Sequence, residues 1–124
     1  MNVTKQKTCG KDHTYNGWTN YETWAVALWI DNDEGMADQR VELGRRANEL
    51  ARPTEVLTRE ESAAYDYSKM LQEWVEAEVD EARALLSRLG SFGGGLCSDF
   101  IGASLSEVNW SELAKTWLEE EVSS

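Results

Sequence analysis

Few groups in this chain of 124 residues could carry covalent or metal chemistry: two cysteines, Cys9 and Cys97, and one histidine, His13. Cys9 and His13, with Asp12 between them, have metal-ligand character. A structural zinc site needs four ligands at recognisable spacing, and only Cys97 could extend this set. A tail thiol and a tail imidazole that happen to be neighbours are the better account. Nucleophilic catalysis would need Cys97 or a serine activated by His13, and so an ordered tail lying over a pocket. Asp31, Asp33 and Glu42 fall at positions 1, 3 and 12 of a calcium-loop register, but Met36 stands at position 6, where the sharp turn wants glycine. Gly93-Gly94-Gly95 has no strand before it and no Lys-Ser/Thr after it, so it is expected to be an interhelical linker rather than a phosphate cradle. No catalytic, cofactor-binding or metal-ligating residue is assigned on these grounds, and a non-enzymatic protein is expected.

The carboxylates are the remaining signal. Glu73, Glu76 and Asp80 fall at i, i+3 and i+7, on the polar face of a long helical pattern. Glu119-Glu120-Glu121 adds a block near the C-terminal end, where a helix dipole prefers cations. A solvated face is the ordinary meaning of such a pattern. The sharper reading is a negative surface that docks on a basic groove of another protein. Lys69, Arg83 and Arg88 interrupt the acids, which argues against a dedicated nucleic-acid mimic. The net charge of −11 disfavours direct contact with nucleic acid phosphates or an anionic membrane surface, since both need clustered Lys and Arg. It favours solubility and fast association with basic partners.

Several elements must hold these residues. Residues 1–14 are polar and basic without periodicity and are expected to be a flexible arm, with 15–122 forming a single helical domain. The first helix spans about Tyr21 to Ile30. Thr19 and Glu22 have capping-box spacing, and Asn20 is an alternative cap one residue later. Tyr21, Trp24, Ala25 and Leu28 recur at helical spacing there, with Val26, Trp29 and Ile30 widening the apolar stripe almost all round. That helix is therefore expected at the buried centre of the domain. A second helix follows the acidic turn at 31–35 and ends at Pro53, with Gly44 placed to let a bulky ring, expected to be a tryptophan of the first helix, press on its backbone. Thr58 and Glu61 open the longest element, about Arg59 to Leu89, which must bend, project or be covered by a second copy. A short helix at about Cys97 to Leu105 comes next. A final amphipathic helix, capped by Asn109 with Glu112, carries Trp110, Leu113, Ala114, Trp117 and Leu118. No β-branched alternation of strand length occurs. The fold expected is all-α, a bundle of four or five helices with one long central helix. Trp18, Tyr21, Trp24, Leu28, Trp29, Trp110, Leu113 and Trp117 are its expected core.

Asn16-Gly17-Trp18-Thr19-Asn20-Tyr21-Glu22-Thr23-Trp24, with Leu28-Trp29 and the acidic turn, resembles the start of a family of short uncharacterised proteins carried by phages, plasmids and integrating elements. Leu105-Ser106-Glu107-Val108-Asn109-Trp110, with Leu113-Ala114 and Trp117-Leu118, is similar to that family's closing motif. The resemblance covers about a third of the chain, and the stretch from about Met36 to Gly95 is not matched to it. No reaction and no catalytic residues carry over. What it implies is a setting: accessory genes of mobile elements often encode small acidic inhibitors of host defence, of the anti-restriction or anti-CRISPR type. The expected function is inhibition of a host nucleic-acid-targeting defence system in the bacterial cytoplasm, through Glu73, Glu76, Asp80, Glu119, Glu120 and Glu121 docking on a basic surface. The alternative is a homodimeric structural or regulatory accessory of the element.

Overall fold

The computed structural model describes residues 15–123. The expected arm at 1–14, with Cys9 and His13, lies outside the described residues. The chain enters its first helix through a two-residue turn. Tyr15 and Trp18 exchange both backbone hydrogen bonds, at 2.6 and 2.8 Å, around Asn16 and Gly17. Both central residues have positive φ, 50° and 90°, the backbone that Asn-Gly pairs favour because both tolerate the left-handed region.

Helix α1 (Tyr21–Asp31) starts on Asn20, whose Oδ1 accepts from the Thr23 N–H at 2.9 Å. The cap is thus the alternative residue, and the Thr19 N–H donates instead to the distant Glu112. Helix α2 (Glu34–Leu50) is capped by Asp33. Helix α3 (Arg59–Leu86) opens with a complete capping box of Thr58 and Glu61. Helix α4 (Ser91–Ser106) and helix α5 (Trp110–Ser123) complete the bundle. No strand occurs among the described residues.

α3 is 28 residues long, about 42 Å at 1.5 Å per residue. Three helices of its own chain cover it: α2 over its first half, α5 at the centre and α4 near its end. Gly44 of α2 does seat a ring, but that ring is Tyr67 of α3 and not a tryptophan of α1: a Cβ at Gly44 would stand 3.0 Å from the ring carbon bearing the hydroxyl. The Tyr67 hydroxyl donates to the Arg40 carbonyl at 2.6 Å. Leu71, Leu113, Ala114 and Trp117 fill the space between α3 and α5, all essentially inaccessible to solvent.

The glycines 93–95 are not a linker. They lie inside the first turns of α4, which folds back along α3 after a 3₁₀ turn at Ser87–Leu89. Gly90 makes that reversal with φ +97°. A Cβ at Gly94 would meet the Leu86 carbonyl oxygen at 2.1 Å, so the two backbones are in direct contact there. Turn composition and close helix packing both select glycine, which is why the linker expectation failed.

α1 also departs from expectation. Its buried side is Thr23, Ala27 and Ile30, pressed on α2 and α5. Tyr21, Leu28 and Trp29 lie on the other side and are exposed, Trp29 by 74%. Trp18 and Trp24 are half-buried. The helix is apolar all round, so periodicity could not choose its inward face. Thr23 and Ala27 let it approach the bundle closely, with Ile30 as its one large buried side chain, while Tyr21, Leu28 and Trp29 were left outside.

Two substitutions test this packing by urea unfolding. Thr23→Val keeps the shape but leaves the part-buried Asn109 N–H without its acceptor, so a loss of about 1 kcal/mol or more is expected. Gly94→Ala adds helix propensity worth about 1 kcal/mol, yet the clash with Leu86, typical of overpacking at about 1–3 kcal/mol, makes the variant less stable overall.

Candidate functional site

The acids of α3 project from a helix packed against α2, α4 and α5. Glu73 and Asp80 are exposed, and Glu76 is half-buried. Gln72 Nε2 donates to Glu76 Oε2 at 3.0 Å, one turn along the same face. Glu76 and Asp80 form the carboxylate side of a groove of about 400 Å³, whose apolar side is Leu105, Val108 and Trp110. Arg83 borders the groove, but its Nε is committed to Ser98 Oγ at 2.8 Å.

The C-terminal acids have separate settings. Glu119 lines a second groove of about 310 Å³ with Thr19, Asn109, Glu112 and Lys115. Glu120 faces Arg40 at 3.6 Å. The side chain of Glu121 lies outside the described residues. The structure thus joins Glu76 to Asp80 in one groove and distributes Glu119 and Glu120 elsewhere on α5.

Arg40 was missed by pattern reasoning, which has no rule for a cation that packs. Its guanidinium stands 4.4 Å from the centroid of the buried Trp117 ring and donates through Nε to Asp31 Oδ1 at 2.9 Å. It therefore ties the end of α1 to α2 and α5 while holding two carboxylates at its rim.

Also missed was a set of hydrogen bonds between the two ends of the fold. The Asn109 N–H donates to the Thr23 hydroxyl at 2.8 Å, and Asn20 Nδ2 donates to the Glu107 carbonyl at 2.7 Å. The Thr19 N–H donates to both oxygens of Glu112, at 3.0 and 3.2 Å. Asn109 caps α5 through the Glu112 N–H at 3.0 Å. The Glu112 carboxylate, which a capping box would turn back on its own helix, reaches across to α1 instead. The cap spacing was the legible signal; its partner was not.

Beside these, the Tyr15, Tyr21 and Trp24 rings pack together with centroids 4.9–5.5 Å apart. They form an outward aromatic face that continues into Leu28 and Trp29. No group of three or more His, Cys, Asp or Glu side chains placed to hold a metal occurs among the described residues. None of the described helices is long and apolar enough to cross a membrane.

The chain belongs to a family of unknown function, DUF7249, whose sequence profile matches residues 11–93. The match takes in the aromatic opening motif and all of α1, α2 and α3, ends at the start of α4 and does not reach α5. No curated protein and no solved structure matches the chain.

One titration behaviour follows from the α2 surface. Arg45 donates to Glu42 and Glu49, one helical turn to either side. The Arg45 hydrogen bond holds the Glu42 carboxyl below its ordinary value; desolvation opposes it, and the charges of Arg45 and Arg46 add smaller lowering effects. A carboxyl lowered in the folded state stabilises above its unfolded pKa, and that contribution is lost as pH falls through the lower folded value. Glu42→Gln should therefore leave stability at low pH unchanged and reduce it slightly near neutrality. The difference should shrink in high salt, because the pair is solvent-exposed. Urea midpoints measured across pH at two salt concentrations check this.

Proposed function

We propose that this protein acts by binding another protein: it inhibits a host nucleic-acid-targeting defence system, of the anti-CRISPR or anti-restriction type, by occupying a basic surface with the acidic face of α3. The observation that carries the reading is the projection of Glu73, Glu76 and Asp80 from a helix backed by α2, α4 and α5, in a chain of net charge −11. Carboxylates on a rigid element present their charge without first being ordered, and that favours association with a complementary basic surface. The groove beside Glu76 and Asp80, with its apolar wall of Leu105, Val108 and Trp110, suits the aliphatic stem and charged tip of a lysine or arginine. The defence setting rests on the likeness of the aromatic opening and closing motifs to accessory proteins of mobile elements. The bacterial cytoplasm is the compartment that goes with it.

A second reading, a homodimeric accessory of the element itself, is favoured by the exposed aromatic face of α1. It and the first are separated by what the chain retains from a host lysate. A nuclease or surveillance complex supports inhibition; self-association with no such complex supports the accessory.

The acidic-face reading is tested by reversing charge at Glu73, Glu76 and Asp80 together, each to Lys, and measuring association with the captured complex at several salt concentrations. The triple variant should associate at least about tenfold more slowly, with a flatter salt dependence, while its helical circular dichroism is unchanged. Unaltered association kinetics would rule this face out.

A further inference from the structure

From the outward face of α1 we infer that a second copy of this chain docks there, forming a two-fold dimer whose central anchor is Trp29. Tyr15, Tyr21, Leu28 and Trp29 are 40, 53, 39 and 74% exposed, on one helix and the turn that leads into it. Large rings this open to water are characteristic of docking surfaces, and tryptophan and tyrosine are the residues that most often dominate an interface.

Charge selects the occupant. From Tyr15 to Ile30 the only ionisable acid or base besides the tyrosines is Glu22, whereas residues 31–124 carry a net charge of −12. Two copies can therefore meet through this face with few like charges opposed. Meeting through the outward faces of α3 or α5 would set Glu73 and Asp80, or Glu119 and Glu120, against acids of the partner. A two-fold contact also satisfies the geometry directly, since the same patch serves both sides and the assembly closes.

Area sets the strength. With aromatic side chains of ~150–250 Å² each, the exposed parts of the three rings and Leu28 amount to roughly 300–500 Å² per copy. That falls short of the ~600 Å² per partner at which stable interfaces begin, so polar groups around the rings must supply the remainder. The expected dimer is therefore weak, with a dissociation constant on the order of micromolar. Because α1 rests on α2 and α5, the dimer leaves the acidic face of α3 outward on both copies.

The test is the mass of the full chain in solution by sedimentation equilibrium, in salt of about 0.1 M and about 1 M. The mass should approach twice the 14.0 kDa of one chain, and dimerisation should strengthen with salt, because screening relieves repulsion between two acidic bodies. Docking on a basic protein weakens with salt, so the two kinds of contact have opposite signatures. Trp29→Ser should weaken dimerisation by about thirtyfold or more with helical circular dichroism retained, since Trp29 contributes little to the core. Phe100→Ser, at a similarly exposed ring on α4, should leave the dimer intact. A chain that stays at 14.0 kDa in both salts, the face then belonging to a different protein, overturns the inference. So does a dimer indifferent to Trp29→Ser. The dimer does not depend on the acidic-face reading: a monomeric chain leaves that reading standing, and failure of the charge reversal leaves the dimer standing.

Discussion

One buried hydroxyl joins the two ends of this fold. Thr23 is wholly inaccessible to solvent, and its oxygen accepts the Asn109 N–H. A hydroxyl taken out of water is costly without a partner, and so is the N–H of a residue at the start of a helix. Each meets the other's need. Around this bond Asn20 reaches the Glu107 carbonyl, and the Glu112 carboxylate accepts from Thr19. That carboxylate sits in the first turn of α5 while accepting from the segment that leads into α1, close to the positive ends of two helix dipoles. The same polar groups that begin the two helices also fix where one lies on the other.

The placement of α1 decides what the surface offers. Held by Thr23 at one end and by the Asp31–Arg40 contact at the other, it lies against α2 and α5 with Thr23, Ala27 and Ile30 inward. Arg40 carries the constraint into the core by stacking on Trp117. Trp117 and Tyr67 are the largest fully buried side chains, and both meet Arg40, one through its guanidinium and one through its carbonyl. The bundle then has two unlike faces, an aromatic one on α1 and a carboxylate one on α3. Both belong to elements whose orientation the core determines.

Much of this architecture is legible in the sequence. Thr58 with Glu61, Asn109 with Glu112, and the acidic turn at 31–35 mark helix starts, because side-chain caps depend on neighbours three residues away. The long helix and the amphipathic α5 follow from apolar residues recurring every three or four positions. Other features turn on contacts between residues far apart in the chain. The inward side of α1 could not be read, since Tyr21, Leu28 and Trp29 are as apolar as Ala27 and Ile30. The glycines of α4 looked like a linker because only the approach of Leu86 explains Gly94. For the candidate site, the spacing of Glu73, Glu76 and Asp80 was visible, but the apolar wall opposite Glu76 and the pairing of Glu120 with Arg40 were not. The Asn16-Gly17 turn is legible from its dipeptide, since both residues tolerate positive φ.

Native-state hydrogen exchange at the Asn109 amide tests most directly whether the clasp between α1 and α5 holds the fold together. If it does, that amide exchanges only through global unfolding, with a protection free energy equal to that of the core amides of Leu71 and Leu113 and falling in step with theirs in added denaturant. Exchange of Asn109 at the rate of an open loop, while Leu71 and Leu113 remain protected, would mean that the two ends separate freely and that α1 is positioned by something else.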